Sequence, residues 1–103
     1  MVHEPHSPPF ENQICEQIRR HAMSFPETTE GSSCVNRAFA AGGKNFLFLG
    51  EKADLVTLRL KLLEDGWTKL EFDPKDAPPL ARIEEMTTES FGLLAPARVR
   101  KLL

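Results

Sequence analysis

The residue types best placed for chemistry are cations beside an aromatic ring. Arg59, Lys61 and Lys69 alternate along two short β-forming stretches, with Trp67 beside them. Arginine and lysine neutralise phosphate oxygens, and an exposed indole stacks on a base, so the set suits nucleic acid. Arg37 and Lys44, upstream, border it. Two readings of the set stand side by side: a binding face, or a solvated charged face in which Glu71 pairs with Arg59 across the strands. The expected pairing puts Lys61 opposite Lys69. Like charges there repel unless an anion lies between them, which favours binding. Trp67 is open in the same way, as a stacking platform or a lid on the core.

Other reactive residue types lack the company their chemistry needs. Ser32-Ser33 has no flanking glycines of a nucleophile elbow. Glu64/Asp65 and Glu84/Glu85 are sequence neighbours, which do not converge on one substrate. His3 and His6 lie in a proline-containing leader, a poor setting for the fixed ligand geometry of zinc, and read as solvated. His21 falls on the outer side of a helix and has no assigned role. Cys15 and Cys34 form no CxxC pair and read as buried thiols acting as small hydrophobes. A disulfide would need an oxidising compartment that nothing else suggests. The stretch from Pro26 to Ser33 lacks the lysine and spacing of a phosphate loop and reads as a connector. No catalytic residue, metal site or cofactor is expected, and the chain is not read as an enzyme.

Composition sets the outer limits. At 103 residues, with 41% apolar and 27% charged side chains, the chain is one ordinary globular domain. Its net charge of −2 weighs against strong non-specific nucleic-acid affinity. No apolar run approaches the ~20 residues of a membrane span. The start, MVHEPHSPPF, has neither the basic end nor the apolar centre of a secretory signal, so a cytoplasmic location is expected.

The elements that must position the cations lie between Cys34 and Phe72, where four apolar runs are separated by turn signals. Before them, Ser7-Pro8-Pro9 reads as a helix start, and Phe10, Ile14, Ile18, Ala22 and Phe25 share one helical stripe that ends before Pro26. Gly42-Gly43 predicts a two-residue hairpin with Phe39 opposite Phe46, Arg37 opposite Phe48 and Asn36 opposite Leu49. The second strand is apolar on both faces and belongs inside the sheet. Gly50 to Asp54 reads as a turn into a third strand, Leu55 to Leu63. A three-residue loop, Glu64-Asp65-Gly66, puts glycine in the left-handed conformation. It sets Leu58 against Phe72, Leu60 against Leu70 and Leu62 against Thr68. On the other face Arg59 meets Glu71, Lys61 meets Lys69 and Leu63 meets Trp67. After a break at Asp73 to Pro79, with Asp76 as cap, the positions Leu80, Ile83, Met86 or Thr87, Phe91 and Leu94 mark a second helix. Pro96 to Leu103 is a short last one. The expected fold is α+β: a two-layer sandwich whose antiparallel sheet of about four strands carries the N-terminal and C-terminal helices on one face. Residues 1–9 form a leader and 10–103 a single domain.

Several stretches, in this order, resemble the MmcQ/YjbR-like family of small bacterial proteins. They are Phe25-Pro26-Glu27 with Glu30-Gly31, Asn36-Arg37-Ala38-Phe39, Gly42-Gly43-Lys44-Asn45-Phe46, Gly66-Trp67-Thr68-Lys69-Leu70 and Glu89-Ser90-Phe91-Gly92-Leu93-Leu94-Ala95-Pro96. The resemblance covers roughly residues 10–100. It implies a two-layer fold with helices on one face of an antiparallel sheet, and a family label of DNA binding with no agreed catalytic residues. Members of that family carry a further helix between the third strand and the Gly-Trp strand, which this chain lacks. Either the tight hairpin replaces it or apolar sheet surface is left bare, and a bare patch predicts a dimer or a marginally stable monomer. Besides DNA, two other kinds of partner fit: a protein bound chaperone-fashion at Leu47, Leu49 or Leu63, and a small molecule held between sheet and helices. No membrane partner is expected.

Overall fold

The computed structural model describes residues 10, 12–33, 36–52 and 55–102. Helix α1 is Gln13–Met23, shorter at its start than the apolar stripe implied. Asn12 caps it, its side-chain oxygen accepting from the backbone N–H groups of Ile14 (2.8 Å) and Cys15 (3.3 Å). An amide at this position satisfies donors that the first turn cannot use. The expected Ser7-Pro8-Pro9 start lies outside the described residues, as do His3, His6 and Cys34. Phe10 is buried just ahead of the helix, and Cys15, Ile18, Ala22 and Phe25 continue the buried stripe.

Five strands follow: β1 (Thr28–Ser33), β2 (Asn36–Ala41), β3 (Lys44–Lys52), β4 (Leu55–Leu62) and β5 (Gly66–Phe72). They form an antiparallel meander in chain order. β1 corrects the expectation of a connector there and raises the strand number above four. Its sequence, TTEGSS, has no apolar alternation to announce it. It is held by pairing with β2, from Thr28 against Ala41 to Ser33 against Asn36.

The Gly42-Gly43 hairpin forms as expected, with Ala41 opposite Lys44, but its register then slips. A bulge leaves Phe46 without a direct partner, so Phe39 faces Leu47 and Arg37 faces Leu49. The extra residue turns both Phe46 and Leu47 inward, and each is wholly buried. Gly42 has φ +57°, and a Cβ there would lie 2.7 Å from Pro96 Cγ, so both the turn and the packing of the C-terminal segment require glycine. Gly50 is no turn: β3 runs on to Lys52. A Cβ at Gly50 would collide with the side-chain oxygen of Asn36, so this glycine makes room for a neighbouring strand's side chain.

The last hairpin keeps the expected faces and moves the register. Its three turn residues are 63–65, with Gly66 at φ +68° closing the strand pair opposite Leu62. Leu58 thus faces Leu70, Leu60 faces Thr68 and Val56 faces Phe72. Leu63 leaves the strand and is exposed.

Helix α2 is Leu80–Leu94, entered from Pro79 without a side-chain cap, so Asp76 is not its cap. Asp73 instead caps a 3-10 turn, Pro74–Asp76. Helix α3, Ala97–Arg100, is shorter than expected. α2 packs on β3 and β4, and α1 packs on β1, β3 and α2. Phe91 stacks on Phe25 at 4.5 Å between centroids and meets Phe46 edge-on at 5.3 Å, which ties both helices to the bulge. The bulge is also closed chemically. Ser90, buried on α2, donates to the carbonyl of Phe46 (2.6 Å) and accepts from the N–H of Lys61 (2.9 Å). Both groups lie just past the last β3–β4 pair, Leu47 with Leu60. Glu89 adds an acceptor for the N–H of Leu63 at 2.6 Å. The molecule is an open-faced α+β sandwich, with its helices on one side of the sheet. Among the described residues no helix is long and apolar enough to cross a membrane.

Candidate functional site

Strand alternation sorts the sheet into two faces. The covered face carries Phe39, Leu47, Leu49, Leu58 and Leu60, all fully buried beneath the helices. The open face carries Ala38, Phe48, Arg59 and Lys69 in one cross-strand row, because these residues pair in succession from β2 to β5. Beside that row Lys61 pairs with Trp67, and on the other side Gly50, Thr57 and Glu71 pair in turn.

The predicted group Arg59, Lys61, Trp67 and Lys69 is therefore brought together on one uncovered surface. Its internal pairing differs from the expectation. Lys61 faces Trp67 rather than Lys69, and Arg59 faces Lys69 rather than Glu71. The expected lysine pair is replaced by an arginine–lysine pair, also of like charge. Among the described residues, none of Arg59, Lys61 and Lys69 has a carboxylate within ion-pair distance. The one acid on these strands' open side, Glu71, faces Thr57.

Trp67 is no core lid: it is 45% exposed. Its ring lies 5.9 Å from that of Phe48, tilted by 52°. The Arg59 guanidinium, next to Phe48 in the row, sits 5.8 Å from the Phe48 centroid. The rings and guanidinium thus support one another and present π-faces and charge on the same surface. Sequence reasoning missed Phe48, although its signal was present: with Leu47 and Leu49 on one face, alternation assigns Phe48 to the other. Lys52 was missed because Gly50 read as a turn. It is exposed at the end of β3 and on the open side by the same alternation.

Two predicted members separate from the group. Arg37 points to the covered face, opposite Leu49. There it bonds Glu30 at 3.2 Å and lies 3.9 Å above the Phe10 ring. Glu30, from β1, also takes the Arg19 Nε at 3.0 Å, and Arg19 reaches Glu16 at 3.0 Å. Burial pushes the Glu16 carboxyl up, but the N–H of Phe10 and the guanidinium groups of Arg19 and Arg20 outweigh it, holding the group below its ordinary range. Arg37 is therefore a structural cation, consumed by this network. Lys44 is exposed at the hairpin tip, paired with Ala41 of the covered face, and lies outside the cross-strand row.

Thr29, Gly31, Ala38, Ala40 and Asn45 line a shallow depression of about 240 Å³ on the β1–β3 half. Glu30 and Ser32 border the same depression, and the aromatic and cationic residues are confined to the β3–β5 half. Leu47 and Leu49, by contrast, are fully buried and present no docking surface, which corrects the chaperone-like alternative at those positions. Cys15 is buried as expected, its thiol pushed up to about 12 by burial and by Glu51, against the pull of Arg37.

Comparison of the chain with family models, with curated protein sequences and with solved structures gives no match.

Proposed function

We propose that the open face of the sheet binds single-stranded nucleic acid. The reading rests on one observation: Phe48, Arg59 and Lys69 in a row, flanked by Lys61 and Trp67, all on the uncovered side with no internal carboxylate partner. A flat sheet suits unpaired bases, which can lay their faces on aromatic rings while cations take the phosphates. Duplex DNA hides those base faces. The MmcQ/YjbR-like resemblance points to nucleic acid as well, through the family label. The net charge of −2 limits how far affinity extends beyond this patch, so binding is confined and salt-sensitive.

The test is anisotropy of a labelled single-stranded oligonucleotide, titrated at several salt concentrations. Three phosphate contacts predict a slope of log K against log salt of about −2. Trp67 fluorescence should be quenched on binding. A slope near zero, or equal binding by a protein with Arg59, Lys61 and Lys69 all reversed to glutamate, would sink the proposal.

A further inference from the structure

Among the described residues the sheet has two unpaired edges, and they are not alike. β1 carries no apolar side chain, contains Gly31 and turns Glu30 inward to Arg19 and Arg37. An inward charge is a common means of blunting an edge against further pairing. β5 has no such device on its covered side, where Leu70 and Phe72 stand. It is the terminal strand, and among the described residues no backbone hydrogen bond joins it to any element but β4. The helical layer covers it only in part, since α2 packs chiefly on β3 and β4 and the β5 side chains only border the core. Leu70 and Phe72 are left only half-buried.

Lys69 and Glu71 are the exposed charges of this strand, and neither has an ion-pair partner among the described residues. A lysine at an edge ordinarily prevents pairing. Here it does so selectively. Antiparallel pairing of β5 with its own copy must match residues of the same face, so the two-fold axis falls on a residue. An axis at Lys69 sets lysine against lysine, and one at Glu71 sets glutamate against glutamate. An axis at Thr68 leaves Glu71 beyond the ladder. An axis at Leu70 places Lys69 opposite Glu71 of the partner subunit, twice by symmetry. It also sets Leu70 against Leu70 of the partner subunit and Thr68 against Phe72 of the partner subunit. Only this register joins opposite charges and covers the half-buried leucines together.

We infer that β5 pairs antiparallel with β5 of a second copy about an axis at Leu70, joining two five-stranded sheets edge to edge. This goes beyond the nucleic-acid reading and does not depend on it, because association is measured with no nucleic acid present.

The experiment is sedimentation of the full chain over concentrations up to about 1 mM. It is run on the native protein, on Lys69→Glu, on Glu71→Lys, and on an equal mixture of the two variants. Each variant alone sets like charges opposite one another at both positions, and its dimer should be about tenfold weaker than the native one. The mixture restores two opposite-charge pairs and should associate nearly as tightly as the native chain. Circular dichroism confirms that both variants fold, and the mixture checks this again, since a misfolded variant would not recover. A native chain that stays monomeric at the highest concentration overturns the inference. So does a mixture that associates no better than its components.

Discussion

Two arginines each lie over a phenylalanine ring, on opposite faces of one sheet. Arg37 sits 3.9 Å from the Phe10 centroid and Arg59 sits 5.8 Å from that of Phe48. The first is largely buried and bonded to Glu30, which Arg19 shares. The second is exposed and faces Lys69. The same pair of side-chain types thus serves two purposes. Where the guanidinium is neutralised within the chain, it ties β1, β2 and α1 together. Where it stands among other cations, its charge remains available to a ligand. A count of basic residues cannot separate these cases. The partner of each residue can.

The comparison breaks first at the open face. Reversing Arg59, Lys61 and Lys69 together should lower oligonucleotide affinity about a hundredfold at low salt. Melting temperature should stay close to native, because none of the three gives up an ion-pair partner and the reversed pair at 59 and 69 is again of like charge. Arg37→Ala should do the opposite. It leaves Glu30, whose side chain is 9% exposed, with one guanidinium fewer. Unfolding in urea should show a loss of about 2 kcal/mol, with oligonucleotide binding by the folded fraction unchanged. Equal losses of stability from the two sets would erase the distinction.

Trp67→Ala should weaken binding about tenfold while leaving the salt slope near its native value, because stacking carries no counterion release. The smallest effect concerns pH. Glu16 titrates below its ordinary value of 4.5 in the folded chain. The unfolded chain therefore takes up a proton first as pH falls. The stability Glu16 contributes is complete above pH 4.5 and is lost as pH drops through the folded value. Thermal melts of Glu16→Gln should show a shallower decline across that window than those of the native chain. Parallel curves would remove Glu16 from the network.

The sequence carried the faces of β4 and β5 but not their register, for a simple reason. Leu58, Leu60 and Leu62 alternate with Arg59 and Lys61, so parity alone assigns each side chain to a face. Displacing β5 along β4 by two residues preserves parity and changes every partner, and only the turn conformation at 63–65 decides between them. The β2–β3 register was less accessible still. Its bulge is stabilised by Ser90, on a helix in the other layer, and no pattern within the hairpin announces a hydroxyl from elsewhere. β1 was hidden because its inward residues are polar. Thr28, Glu30 and Ser32 do not form the apolar alternation that marks a half-buried strand. Arg37 was misplaced for the related reason that an inward arginine looks like an outward one until Glu30 is known to lie opposite Phe39, its neighbour on the same face.

The Ser90 hydroxyl also bears on the order of events in folding. A meander of hairpins is made of contacts close in sequence, which form early and fast. The group that seals the β3 bulge comes from 44 residues further along the chain than Phe46. During synthesis the hairpins can therefore pair while that end of the ladder is still open, and they are secured only when α2 arrives. Such late contacts govern escape from the native state more than entry to it. Stopped-flow measurements on Ser90→Ala should then show faster unfolding with a nearly native refolding rate, and a slowed refolding limb would place α2 docking in the rate-limiting step instead.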